Sequence, residues 1–168
     1  MLKGLPLESL DLSFNSLYTR SRHLHASACA EDQLAELLPH CKTLIALDLR
    51  GNRLGHGRDD AEYWDDLAFG PGLLEDGPRS YGTGKGLATL APALQQLPRL
   101  ASLDVSQNEL GPAGAAALIG LLREMPSLTC VGAKGNRIKG AAARKLRDFC
   151  VSRDATRPED APETQVIL

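Results

Sequence analysis

The sequence predicts an α/β fold in which one short strand and one helix recur along the chain. Four segments share a pattern: an apolar residue, two variable residues, an apolar-x-apolar pair, two further variable residues, an asparagine and a closing apolar residue. The apolar-x-apolar pair has the period of two that sends both side chains to one face of a strand. Between strands, small and apolar residues recur at helical spacing, as in residues 114–122. Each strand therefore has an apolar inner side and a polar outer side.

This spacing resembles the leucine-rich repeat, and the run 100–118 followed by 125–128 is similar to its ribonuclease-inhibitor-like subfamily. The resemblance implies a solenoid of about four repeats, with a curved parallel sheet on its concave side and helices on its convex side. The four segments read Leu7..Leu10.Leu12..Asn15.Leu17, Leu44..Leu47.Leu49..Asn52.Leu54, Leu100..Leu103.Val105..Asn108.Leu110 and Leu128..Val131.Ala133..Asn136.Ile138.

The repeated asparagine is predicted to be structural. Its amide both donates and accepts hydrogen bonds, so at a turn between stacked units it can satisfy backbone groups of its own and neighbouring coils. We assign it no catalytic role.

The gaps between asparagines indicate where the repeats are lengthened. Asn108 and Asn136 are 28 residues apart, whereas Asn15 and Asn52 are 37 apart, which predicts a longer loop around residues 18–26. Asn52 and Asn108 are 56 apart, the length of two units. An extra repeat fails there, because the positions that would carry its pattern are Gly72, Glu75, Gly77 and Ser80. We therefore predict an insertion loop at about residues 56–83.

The repeats are expected to form one domain over residues 1–150. A closing helix from about residue 140 to residue 150 would turn Leu146 and Phe149 inward, and Pro92 should leave the helix around it short or irregular. Residues 151–168 contain two prolines and four acidic residues, which predicts a disordered acidic tail. Its apolar ending, residues 164–168, could instead add as a strand to a partner's groove.

The ends of the pattern raise the question of capping. The first strand begins almost at once, at Leu7, although terminal repeats normally need a cap. Residues 1–5 could belong to a partial unit, the chain could continue a longer repeat array, or a partner could cover this edge.

Composition fits a single soluble, cytoplasmic domain. The chain has 168 residues, is 43% hydrophobic and contains no apolar run near the ~20 residues that span a bilayer. Its four cysteines form no CxxC pair and are expected to be reduced. With 19 basic against 21 acidic residues, the chain lacks the basic excess of nucleic-acid-binding proteins. A local basic end is interpreted as solvation of the closing helix; it comprises Lys134, Arg137, Lys139, Arg144, Lys145 and Arg147.

The polar side of the strands is the first candidate binding surface. Asp11, Asp48 and Asp104 should form one column, about 4.8 Å between neighbouring strands, which would attract a basic protein partner. Arg50 and Lys134, in the next column, would contribute to the surface or neutralise the row. The alternative is that these aspartates only reflect the common composition of such repeats.

The insertion is the second candidate surface. Residues 56–83 contain Tyr63, Trp64 and Phe69, and their seven acidic residues and two arginines give a net charge of −5. Loops of this length are usually functional or disordered, and aromatic residues often anchor protein interfaces. The alternative is that Trp64 and Phe69 only pin the loop onto the helices.

No catalytic constellation stands out. The glycine-rich residues 77–86 lack the spacing of a phosphate-binding loop, and His23, His25 and Cys29 lack a second ligand pair for zinc. We expect no enzyme, cofactor or metal, and predict a non-catalytic protein-interaction module. The alternatives are a GTPase-activating regulator and a structural segment of a larger sensor or scaffold; the regulator would use Arg50, Arg53 or Arg58.

Overall fold

The computed structural model describes residues 6–15, 17, 30–55, 84–158 and 161–168. Within these residues, short strands alternate with helices along the chain. The strands are β1 (Ser9–Asp11), β2 (Ala46–Asp48), β3 (Ser102–Asp104), β4 (Cys130–Gly132) and β5 (Gln165–Ile167). The helices are α1 (Ala30–Leu37), extended by the 3-10 turn Leu38–His40, α2 (Lys85–Leu94), α3 (Gly111–Glu124) and α4 (Gly140–Asp154).

The strands form one parallel sheet whose order follows the chain, β1-β2-β3-β4-β5. β2 pairs directly with β3, with Leu47 opposite Leu103. β2 and β3 are therefore direct neighbours in the sheet, although 53 residues, 49–101, lie between Asp48 and Ser102 in the sequence. Each helix packs against the next, from α1 to α4. α2 contains Pro92 and, at 10 residues, is shorter than α3 and α4, as predicted.

The core lies between the sheet and the helices. The central residues of the strands form one column in which Leu47, Leu103 and Val131 are buried. Leu90 and Leu118 of the helices belong to the same cluster. Complete burial of such side chains contributes about 1.5–3 kcal/mol each. The alternation recognised in the sequence thus turns apolar residues toward the helices and leaves the other strand face polar.

The repeated asparagines form a buried hydrogen-bond ladder, which confirms their predicted structural role. Asn52, Asn108 and Asn136 are 0, 0 and 1% exposed. The Asn108 Oδ1 atom accepts hydrogen bonds from the backbone N–H groups of Asn52 and Leu54, at 2.8 and 3.1 Å. Each ladder asparagine therefore ties two successive coils together. The Asn108 Nδ2 group donates to the carbonyl oxygens of Leu49, Val105 and Ser106.

The residue before each asparagine of the pattern has left-handed backbone. These residues are Phe14, Gly51, Gln107 and Gly135, with φ angles of 57, 69, 56 and 75°. A side chain in this conformation costs about 1–2 kcal/mol, and glycine avoids that cost.

We therefore expect Gln107→Gly to raise the free energy of unfolding by about 0.5–1 kcal/mol, because relief of the strain exceeds the extra entropy of the unfolded glycine chain. Urea unfolding measures this change. The control is Gln95→Gly, at an exposed position with a φ of −61°, where glycine should be destabilising instead. A Gln107→Gly protein that is less stable than the wild type would contradict the argument.

The prediction of a disordered acidic tail over residues 151–168 is wrong. α4 continues to Asp154, and β5 pairs in parallel with β4, with Val166 opposite Val131. Val166 and Leu168 repeat the apolar-x-apolar alternation and pack against the core. This alternation outweighs the proline and acid content, so the apolar ending is part of the protein's own sheet.

A polar clasp of Arg153, Asp154, Arg157 and Thr164 holds β5 against α4. Asp154 accepts hydrogen bonds from the Thr164 backbone N–H at 2.9 Å and from its hydroxyl at 2.6 Å. Burial raises the pKa of Asp154, but the hydrogen bonds from Thr164 and the charges of Arg157 and Arg153 outweigh it. The pKa of Asp154 therefore lies below its ordinary value of 3.8.

The lowered pKa of Asp154 predicts a pH-dependent contribution to stability. It is fully present above the unfolded-state pKa of about 3.9 and is lost as the pH falls through the lower folded-state pKa. Urea unfolding of wild type and Asp154→Asn should therefore differ most near neutral pH, and the difference should shrink below about pH 4. Asp148→Asn, an exposed change on the same helix, is the control. A difference that stays constant down to pH 2 would contradict this assignment.

Candidate functional site

The polar strand face carries the predicted column of aspartates. Asp11 lies opposite Asp48, and Asp48 lies opposite Asp104. The column continues with Gly132 and Ile167, so the acidic row ends at β3. The prediction that the three carboxylates align is confirmed.

Each of these aspartates also shapes the turn that follows its strand. A carboxylate oxygen accepts a hydrogen bond from the backbone N–H two residues further on, at Ser13 (2.8 Å), Arg50 (2.9 Å) and Ser106 (2.8 Å). The bonds from the Ser13 side chain and backbone lower the pKa of Asp11, which is therefore anionic at neutral pH. The row thus has a structural role, and the hydrogen bonds to the turns hold each carboxylate in a fixed orientation.

Arg50 partly neutralises the row. Its Nη2 atom lies 2.6 Å from the Asp48 Oδ2 atom, and this hydrogen-bonded pair raises the pKa of Arg50. The Arg50 Nε group is buried and has no hydrogen-bond partner. Because Arg50 is held beside Asp48, the remaining negative charge of the row lies mainly at its ends, Asp11 and Asp104.

Phe14 is a candidate binding residue that the sequence analysis missed. Its side chain is 62% exposed, and its ring centre lies 5.9 Å from the Arg50 guanidinium carbon. The ring rests on Gly51, where a Cβ atom would collide with it. An exposed aromatic ring beside an arginine combines two kinds of side chain that often anchor protein interfaces. The sequence gives one signal for Phe14. The position before the asparagine holds a bulky apolar residue in this unit, whereas the other three units have Gly51, Gln107 and Gly135 there.

Lys134 does not pair with an aspartate of the row as Arg50 does. Its backbone N–H donates to the Ser106 Oγ atom at 3.1 Å, while its side chain is exposed and forms no ion pair with another described residue. Gly132 takes the position equivalent to Asp48, and a Cβ there would lie 2.6 Å from the Asp104 Oδ1 atom. The expectation that Lys134 neutralises the row is therefore wrong, because no carboxylate stands two residues before it.

Two segments match the family model described as Leucine Rich repeat, residues 40–56 and 98–118. These matches support a leucine-rich repeat protein. They cover β2 with its turn, and β3 with its turn and the start of α3. No curated protein gives a significant match to the chain. Leucine-rich repeats generally mediate protein–protein interaction and are typically non-enzymatic.

The predicted insertion residues Tyr63, Trp64 and Phe69 lie outside the described residues, as does the loop predicted around residues 18–26. The root of the insertion is described. The Gly84 N–H donates to the Gly55 carbonyl at 2.9 Å, and the Gly55 N–H donates to the Asn108 carbonyl at 2.7 Å. Gly55 and Gly84, which flank residues 56–83 in the sequence, are therefore joined to each other beside the asparagine ladder.

The described residues offer few other features for chemistry or membrane insertion. None of their His, Cys, Asp and Glu side chains form a group of three or more that could hold a metal ion. No helix in this part of the chain has the length and apolar character needed to cross a bilayer. Cys41 and Cys150 are buried free thiols, and burial raises the pKa of Cys150.

Proposed function

We propose that this leucine-rich repeat protein binds a protein partner, without catalysis, through its exposed strand face and its insertion. The observation that carries the proposal is the arrangement of Phe14, Arg50 and Asp48 on that face. An exposed ring, stacked beside an arginine that an aspartate orients, presents apolar area and directed charge together. Such preorganised groups lose little side-chain entropy on binding.

Charge supports a partner of basic character. Asp11 and Asp104 stand at the ends of the row, and Arg50 is engaged with Asp48. The insertion adds a net charge of −5 and the aromatic residues Tyr63, Trp64 and Phe69. Complementary charge favours encounter and register, while the aromatic residues would supply apolar anchoring. We further propose a cytoplasmic protein of the ribonuclease-inhibitor-like subfamily, whose strand face is the concave surface of the repeat.

The test is a crosslinking pull-down with the wild type and four variants, followed by titration of the captured partner. Phe14→Ala and Arg50→Ala should each weaken binding at least about tenfold, as expected for interface anchors. Replacement of residues 56–83 by a short Gly-Ser linker should abolish capture. Arg99→Ala, another exposed arginine, is the matched control and should bind as the wild type does.

Circular dichroism and urea unfolding must show that each variant remains folded. Binding that survives the loss of Phe14, of Arg50 and of the insertion would refute the proposal. If binding is lost only in the variant with residues 56–83 replaced, recognition would be assigned to the insertion rather than to the strand face.

A GTPase-activating regulator is the alternative function, and Arg53 is the residue that favours it. Arg53 is exposed in the turn after β2, whereas Arg50 is paired with Asp48. Arg58 lies outside the described residues. GTP hydrolysis by a captured GTPase, measured with the wild type and with Arg53→Ala and Arg58→Ala, tests this alternative. Stimulation that is unaffected by both substitutions would exclude an arginine-based mechanism.

A further inference from the structure

Asp104 lacks the cation that pairs with Asp48. The residue two positions after Asp48 is Arg50, which forms the ion pair at 2.6 Å. The residue two positions after Asp104 is Ser106, which is uncharged and donates its backbone N–H to the Asp104 Oδ1 atom at 2.8 Å. The Asp104 Oδ2 atom forms no hydrogen bond or ion pair with another described residue. It is not one of the buried atoms of this part of the chain that lack a partner, so solvent reaches it.

Gly132 allows the Asp104 carboxylate to lie against β4. Asp104 is aligned with Gly132, and Gly132 with Ile167, so the three residues form one row across β3, β4 and β5. A Cβ atom at Gly132 would lie 2.6 and 3.0 Å from the two Asp104 carboxylate oxygens. The carboxylate therefore occupies the space beside β4 that a side chain would otherwise take.

Ile167 continues the same row with an exposed apolar side chain. It is 55% exposed, whereas Val166 and Leu168 on either side of it pack against the core. Neighbouring strands are about 4.8 Å apart, so two such spacings separate the backbones of Asp104 and Ile167. Because the carboxylate lies beside Gly132, about one spacing remains between the charge and the apolar side chain. The row thus presents a negative charge next to an apolar contact.

We propose that Asp104, Gly132 and Ile167 form a site for a lysine side chain of the protein partner. The inference rests on the proposed function and names the group that the basic partner presents. A lysine has a flexible four-carbon stem, which can lie over Gly132 against Ile167, and a compact ammonium group, which can donate to the Asp104 Oδ2 atom. Arginine fits less well, because its planar fork pairs with both oxygens of a carboxylate and Oδ1 already accepts the Ser106 N–H.

The test selects short random peptides from a display library on the full chain and counter-selects them on Asp104→Asn. Asparagine keeps an oxygen for the Ser106 N–H but removes the charge. Peptides that prefer the wild type should contain a lysine. Norleucine in place of this lysine keeps most of the stem without the charge. It should weaken binding to the wild type at least about fivefold, near the upper limit for an exposed ion pair. On Asp104→Asn the same replacement should change binding less than about twofold.

Two further comparisons test the apolar contact and the preference for lysine. Ile167→Ser should weaken binding of the lysine peptide at least about threefold, because methylene groups of the stem stay exposed to water. Arginine in place of the lysine should bind at least about twofold more weakly. Asp148→Asn, which removes an exposed carboxylate on α4, is the matched control and should bind as the wild type does. Circular dichroism checks that each variant is folded.

The inference is overturned if no selected peptide depends on Asp104, if norleucine has the same effect on the wild type and on Asp104→Asn, or if arginine binds more tightly than lysine. Binding that is lost in Phe14→Ala and Arg50→Ala but not in Asp104→Asn would also overturn it, while the proposed function would stand. Failure of the proposed function would instead appear as binding that survives Phe14→Ala, Arg50→Ala and the replacement of residues 56–83.

Discussion

Replacing Asn108 with alanine should lower the free energy of unfolding by about 3–5 kcal/mol, because several buried backbone groups lose their partners at once. The Asn108 side chain is completely buried. Its oxygen serves two backbone N–H groups, those of Asn52 and Leu54. Its amide nitrogen serves three carbonyl oxygens. Alanine cannot form a hydrogen bond with any of these groups. The neighbouring repeats on both sides close off the cavity that the substitution leaves.

The sequence provides its own control for this prediction. Asn15 occupies the same position of the pattern, but it is exposed, and its amide nitrogen donates to the Ser13 carbonyl at 3.2 Å. Asn15→Ala should therefore cost less than about 0.5 kcal/mol. Urea unfolding of the wild type and the two variants measures both changes. Similar losses at the two positions would show that the residue type, rather than its place inside the ladder, determines the effect.

Residues fixed by the repeat pattern could be predicted from the sequence, even across gaps of different length. The register of Asp11, Asp48 and Asp104 depends on their positions relative to the apolar pair of each strand, so the longer segment between β2 and β3 leaves it unchanged. The same reasoning located the ladder asparagines. Residues at the variable positions of the pattern were harder to predict, because their side chains contact residues of the next repeat. Phe14 against Arg50 is such a contact.

The two errors have different physical causes. β5 was missed because the prolines and acidic residues after α4 indicated disorder and were given more weight than the apolar pair Val166 and Leu168. Lys134 was expected to behave as Arg50 does, but Gly132 replaces the aspartate that would have paired with it.

Arg153→Ala should release β5 while leaving the other strands in place. The guanidinium of Arg153 donates to the Thr164 hydroxyl at 2.9 Å, and burial lowers the pKa of Arg153. It also bridges to the loop between α3 and β4. Hydrogen bonds from charged groups contribute about 1.5–3 kcal/mol each, but this side chain is partly exposed, so we expect a loss of about 2 kcal/mol. The carbonyl oxygens that it reaches are those of Met125, Pro126 and Leu128.

Amide hydrogen exchange measures which strands lose stability in Arg153→Ala. The Gln165 N–H donates to the Thr129 carbonyl, and the Ala133 N–H donates to the Ile167 carbonyl, each at 2.7 Å. Both bonds require β5, so both amides should exchange about 30-fold faster in Arg153→Ala, as about 2 kcal/mol implies. The Leu49 amide, which bonds to Asp104 between β2 and β3, should change little.

Two further variants separate the clasp from general effects on α4. Arg153→Lys keeps the charge but cannot reproduce the planar fork, so exchange at Gln165 should be intermediate. Arg147→Ala removes an exposed arginine from the same helix and should leave exchange unchanged. Uniformly faster exchange across the sheet would mean that Arg153 stabilises the whole array. Unchanged exchange at Gln165 would mean that Val166 and Leu168 hold β5 by apolar packing alone.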